Sequence, residues 1–124
     1  MKLWFHDHSG IVHHQILREL DGAEFREALT RGAQLLEQTP DVHKWLSDDR
    51  AHSVLREADE EWARTTWFPR ARAAGWTHWA IVKPASAIAT LNIARISNNF
   101  AQLGVATRIL CDLDEALAWL ESLD

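Results

Sequence analysis

The stretch from Trp76 to Val82 restricts the fold of this chain more than any other. Nearly every position in it is apolar, with Ala80 and Val82 falling on one face of a strand and Trp79 and Ile81 on the other. A strand of that kind is stable only where both faces are covered, as in a sheet that carries helices. Lys83-Pro84 stops it, because proline lacks the N–H that the next ladder bond needs.

The flanking sequence supplies the helices and the other strands. Asp21 stands three residues before Glu24, a capping-box pattern, and Phe25, Leu29, Ala33 and Leu36 follow along one helical stripe until Pro40. Val42 to Leu46 reads as a strand that ends in a polar Ser47-Asp48-Asp49 turn, and Ala51 to Leu55 reads as loop or a single helical turn. A long helix is expected from about Ala58 to Ala74, with Trp62, Thr66, Pro69 and Ala73 sharing a face. Pro69 should kink it or begin a second helix, and Gly75 ends it. Ile88 to Leu103 carries Ile93, Ile96, Phe100 and Leu103 at spacings of three and four before Gly104. Val105 to Leu110 is a last strand. Asp112 with Glu115 opens a final helix whose buried stripe is Leu113, Ala116, Leu117 and Leu120.

The N-terminus reads as a hairpin, Lys2 to Phe5 and Ile11 to Leu17, about a two-residue Ser9-Gly10 turn. If His8 pairs with Ile11, His6 faces His13 and all three imidazoles share a face that could hold zinc. The plainer alternative makes that the wet face, with Leu3, Phe5, Val12 and Ile16 buried. The whole order predicts an α/β fold: a mixed sheet of about five mostly parallel strands, opened by a hairpin, flanked by four helices and joined by right-handed crossovers.

Composition bounds the function. A chain of 124 residues is the size of one domain and buries roughly two thirds of its unfolded surface. The 47% hydrophobic and 25% charged residues suit a folded chain. A net charge of -5 without a basic run gives no footprint for nucleic acid. A single cysteine, Cys111, excludes an internal disulfide, and no apolar stretch has the length of a membrane span or a signal-peptide core, so a cytoplasmic location is expected. No strand is followed by a glycine-rich phosphate loop, and no cofactor is expected.

The element order, together with Trp45-Leu-Ser-Asp-Asp49, Glu61-Trp62, Trp67-Phe-Pro69, Ala74-Gly75-Trp76, Ala80-Ile-Val-Lys-Pro84 and Glu115-Ala-Leu-Ala-Trp-Leu120, resembles the SpoIIAA-like small bacterial domains of STAS/SEC14 type. The likeness spans Val42 to Leu120 by motif and the remainder by topology. It implies a helix-flanked sheet, frequent homodimers and no established enzymatic activity. In the anti-sigma-factor antagonists of this fold a phosphorylatable serine follows the third strand. The matching turn here holds Ser47, Asp48 and Asp49 without the Ser-Ser-Gly pattern, and a phosphate on Ser47 would sit against two carboxylates. Acidic groups there also suit the start of a helix.

The resulting expectation is a non-catalytic binding or regulatory module. Its candidate site joins Trp45, Ser47, Asp48, Asp49, Trp62, Trp67, Phe68 and Ser86, with Trp45, Trp62 and Trp67 converging near the acidic turn. The occupant is either a protein partner or a small apolar molecule of the kind SEC14-type domains carry, in a pocket between the Trp62–Phe68 helix and the helix starting near Ser86. Self-association as a homodimer fits an exposed apolar patch. An alternative uses Asp48, Asp49 and Lys83, at neighbouring strand ends, as a phosphoryl- or divalent-cation-responsive switch. No nucleophile elbow is present, His43, His52 and His78 need no special role, and Cys111, beside Asp112, reads as packing. No residue is assigned a catalytic role.

Overall fold

The structure, a computed structural model, describes residues 1–20, 22–39, 43–52 and 54–123. Its elements are β1 (Lys2–His6), β2 (Ile11–Gln15), α1 (Gly22–Gln38), β3 (Lys44–Asp48), α2 (Glu57–Trp62), a π turn (Ala63–Trp67), α3 (Phe68–Ala73), β4 (His78–Val82), α4 (Ala87–Gln102), β5 (Ala106–Leu110) and α5 (Leu113–Glu121). The expected α/β architecture is present: one five-stranded mixed sheet, its β1–β2 pair antiparallel and its other pairs parallel.

The strands lie in the sheet in their order along the chain, β1-β2-β3-β4-β5. Each parallel crossover therefore steps in the same direction, and right-handed connections then place every crossover helix on the same face. The packing follows from this. Leu29, Leu36, Trp67, Phe68, Ile93, Ile96 and Phe100 from the helical layer close over Val12, Trp45, Trp79 and Ile81. The last helix, α5, makes no crossover and takes the other face, where Ala116 and Leu120 meet Ile11, Leu46, Ala80 and Val82. β4 is covered on both sides, as its near-continuous apolar sequence requires.

Several local expectations are corrected. The hairpin turn is Asp7–Gly10 rather than two residues. Gly10 N–H donates to His6 O at 2.9 Å, and Gly10 takes a φ of 65°, which a residue with a Cβ rarely adopts. The register moves by two, pairing His6 with Ile11 and Trp4 with His13. The supposed wet face is not wet at its centre, for His13 is 2% exposed. The polar turn after β3 begins later than expected, because Ser47 and Asp48 belong to the strand. Asp21, Pro40 and Val42, which carried the first capping box and two boundaries, lie outside the described residues.

The break at Pro69 takes the form of the π turn. Phe68 N–H reaches Ala63 O, five residues back, immediately before the residue that has no N–H to give. The added residue rotates the inward face to Ala63, Trp67, Phe68 and Ala71. Thr66, Pro69 and Ala73 then lie on the exposed side. Leu103, expected on the buried stripe of the fourth helical segment, is exposed at the end of α4. Cys111 is exposed and not packed. Asp112 caps α5, accepting from Glu115 N–H at 2.8 Å. Among the described residues no helix is long and apolar enough to cross a membrane.

Candidate functional site

Trp45 organises the space between the sheet and the helical layer. It points from β3 beneath α1, which crosses so closely that a Cβ on Gly32 would lie 1.9 Å from the indole Cη2. Only glycine allows that approach. The Trp45 ring meets Trp67 of the π turn edge-on at 5.4 Å and Trp76 at 6.3 Å, and Trp76 meets Trp79 at 5.7 Å. Large rigid rings locked at these angles do not fill the space completely. A cavity of about 70 Å³ remains among Trp45, Trp67, Trp76, Trp79, Ile93 and Phe100. Its lining extends past His52, Leu55 and Asn99 to the exposed Arg64, where it meets the surface.

The four indoles contribute no free N–H to this space. Trp67 donates to Leu29 O at 2.7 Å, Trp76 to His78 O at 3.0 Å, Trp79 to Ser47 Oγ at 2.7 Å and Trp45 to His14 Nδ1 at 2.9 Å. An indole nitrogen can only donate, so Nδ1 of His14 is the acceptor and its ring proton sits on Nε2. That Nε2 lies 3.1 Å from Asp49 Oδ1, itself 3% exposed. The result is a buried chain, Trp45 to His14 to Asp49, that closes one end of the cavity.

His52 stands at the same end, its backbone N–H held by Asp49 O at 2.8 Å. Burial pushes its imidazole pKa below the ordinary histidine value, against the charge of Asp49, which favours the protonated form. Its Nε2 is buried without a partner among the described residues.

The residues expected at a site are thus partly reunited. Trp45, Ser47, Asp49 and Trp67 line the cavity. Phe68 does not. It is buried and stacks on Phe100 at 4.8 Å. Trp62 does not converge with Trp45. It turns toward Phe25 at 6.3 Å and lies under the Arg26 guanidinium. Ser86 is exposed and caps α4, accepting from Ala89 N–H at 3.1 Å. Asp48 and Asp49 separate to opposite faces because adjacent strand residues alternate. Burial alone would raise the Asp48 carboxyl, but two hydrogen bonds from the Arg50 guanidinium at 2.9 and 2.6 Å outweigh it and hold the group below the usual range. Lys83 is exposed beyond β4.

The three-imidazole face is reduced to two. His6 Nε2 lies 3.0 Å from His13 Nδ1, while His8 is exposed in the turn. Among the described residues no group of three or more metal-ligating side chains forms.

Ser47 is 1% exposed and accepts from Trp79, and both nitrogens of the nearby His14 are committed, so His14 is not free to activate the hydroxyl. Sequence reasoning passed over His14, His52, Gly32, Trp76 and Trp79 as site residues. Parallel pairing of β2 with β3 was the signal available, since it sets His14 beside Ser47 on the face that carries Trp45. Comparison with known proteins finds no matching family model, and no curated protein or solved structure matches the chain.

Proposed function

We propose that the protein is a non-catalytic binding module that takes a small, mostly apolar molecule into the cavity beneath the π turn. The carrying observation is the cavity itself, a space of about 70 Å³ walled by four tryptophans whose N–H groups are all used within the protein. Such a wall offers carbon and ring faces, which is what an apolar ligand needs. That a cavity rather than a flat patch lies beside Trp67 favours a ligand over a protein partner. The resemblance to SEC14-type domains, which carry apolar molecules, supports the same reading. The volume is about half of the roughly 150 Å³ that accommodates benzene in an engineered apolar cavity. A ring-sized ligand therefore reaches toward the mouth at Arg64, and π turns recur at functional sites.

Titration with toluene, followed through the indole N–H resonances, tests this. The signals of Trp45, Trp67, Trp76 and Trp79 should move while those of Trp4, Trp62 and Trp119 stay. Unchanged spectra at saturating toluene would remove the proposal.

A further inference from the structure

One charge in the cavity wall has no counter-charge among the described residues. Asp49 lines the cavity and is 3% exposed, and among the described residues its side chain makes one hydrogen bond, from Oδ1 to His14 Nε2. His14 does not balance it. Its Nδ1 accepts from the Trp45 indole, so the ring carries a single proton, on Nε2, and no charge. His52, in the same turn, is kept uncharged by burial. Arg50, the next residue along the chain, has its guanidinium on Asp48. An aspartate is almost never buried without a cationic partner, and one left beside a neutral imidazole is a reason to look for what completes it.

The rest of the wall suits a cation. Trp45, Trp67, Trp76 and Trp79 turn their N–H corners, the positive points of an indole, to acceptors within the protein. What they and Phe100 leave to the cavity is carbon and π density, which attracts positive charge, most strongly away from water. Ser47 and Asn99 also line it, and each carries an oxygen able to accept from an ammonium N–H. Arg64 has the same sign as such a ligand, but it is exposed at the mouth, lies in the field of the Glu60 carboxylate and is screened by water.

From this arrangement we infer that the cavity takes a small organic ammonium ion, an amine protonated at neutral pH on an apolar body, with the ammonium against Asp49 and the body among the rings. The inference rests on the binding reading above and narrows it. Folding has already taken Asp49 out of water, so the ligand meets a carboxylate that needs no further desolvation, unlike a pair formed from two exposed ions. An anion is repelled by the same charge. A divalent metal ion needs several oxygen or nitrogen ligands, and among the described residues no group of three or more metal-ligating side chains forms. A hydrocarbon fills the space but leaves the carboxylate as it was.

Benzylamine, benzyl alcohol and toluene share one apolar body and differ in the head group, so they separate the two claims. In a cavity without a counter-charge the ammonium binds worst of the three, since it gives up the most hydration. With Asp49 on the wall the order reverses. Calorimetric titration of the full chain at pH 7 should show benzylamine binding about tenfold or more tightly than either neutral compound, the difference expected of one charge-assisted hydrogen bond in a site poor in water. Asp49→Asn, which keeps an oxygen for the His14 Nε2 proton, should abolish that preference. Should the variant fail to fold, the wild-type protein still gives the answer, because the ¹³C resonance of the Asp49 carboxylate must move on adding benzylamine and stay on adding toluene. Toluene or benzyl alcohol binding as tightly as benzylamine, a folded variant that keeps the preference, or an Asp49 signal indifferent to benzylamine would overturn the cation assignment and leave the apolar cavity standing. Binding of none of the three would overturn both.

Discussion

His13 and His14 are neighbours in β2 and face opposite sides of the sheet, where the same side chain is treated in two ways. His14, under the helical layer, has both nitrogens engaged, by Trp45 at 2.9 Å and Asp49 at 3.1 Å. His13 shares one nitrogen with His6 at 3.0 Å, lies beneath the Trp4 ring at 4.0 Å and has its Nε2 buried without a partner among the described residues. The difference comes from topology. The neighbouring strand β3 carries Trp45, and the residue past its end, Asp49, to the buried ring beneath the crossover helices. On the other face α5 packs over β3, β4 and β5, and over His13 the aromatic cover is Trp4, itself 37% exposed. A histidine can be buried by a neighbour's ring alone, but its full hydrogen-bonding capacity is met only where the adjacent segment supplies both a donor and an acceptor.

The contrast is most easily broken at Gly32. In Gly32→Leu the new side chain occupies the space of the Trp45 indole, displacing it from His14 and Trp67 together. A loss of about 4 kcal/mol or outright misfolding is expected, measured by urea denaturation. A variant as stable as the parent would show that α1 is free to lift from the sheet.

Acid sharpens the comparison from the other face. His13 is held down to about 4, first by burial and then by the charges of His6 and His14, with Asp48 pulling upward and Arg50 downward. Its folded pKa is thus below the unfolded value near 6.5, and the unfolded chain takes up the proton first as pH falls. Stability from this group is unaffected above pH 6.5, declines between 6.5 and 4, and levels off below; the whole decline is at most about 3 kcal/mol. His52, also depressed, adds a decline of the same sign. Denaturation midpoints for His13→Leu at pH 7 and pH 4.5 separate the two, for the variant should lose the His13 share of the slope. A parent protein equally stable at both values would contradict the burial of both rings.

Asp49→Ala strands the His14 Nε2 proton in a dry site and should cost about 2 kcal/mol at pH 7. Adding His14→Leu should recover part of that, and strictly additive losses would mean that the two residues are not coupled. The smallest effect belongs to His13→Leu at neutral pH. Replacing a ring with an unpartnered nitrogen by an apolar side chain should change stability by less than about 1 kcal/mol, in either direction. A large loss would mean that Nε2 has a partner after all.

Much of the architecture is legible in the residues themselves. Trp76 to Val82 called for cover on both faces, and the sheet, its hairpin opening and its helices stand in the expected order. Periodicity is a local signal and carried these elements well. It could not set the hairpin register, because Asp7 to Gly10 admits more than one turn and the choice lies in the positive φ of Gly10. It misplaced the inward face after Trp62, because a π turn adds a residue that no hydrophobic spacing announces. Trp62 was accordingly drawn into the site, while His14 and His52 were passed over. Their places come from pairings with Trp45 and Asp49, tens of residues from His14 in sequence, while Asp49 and His52 share a turn.

The unbroken strand order also governs how the molecule comes into being in time. A sheet ordered β1-β2-β3-β4-β5 never asks a strand to wait for a later one to be inserted between it and its neighbour. As the chain leaves the ribosome, each new helix and strand finds its docking edge already built, and the growing sheet lengthens from one side only. Loop closure at each step spans a single crossover, so the entropy to be overcome stays small and does not rise with chain length. The segment that seals the second face, α5, follows all five strands, so until it emerges Leu46, Ala80 and Val82 stay open to water. That is the interval in which the nascent chain is most prone to aggregate.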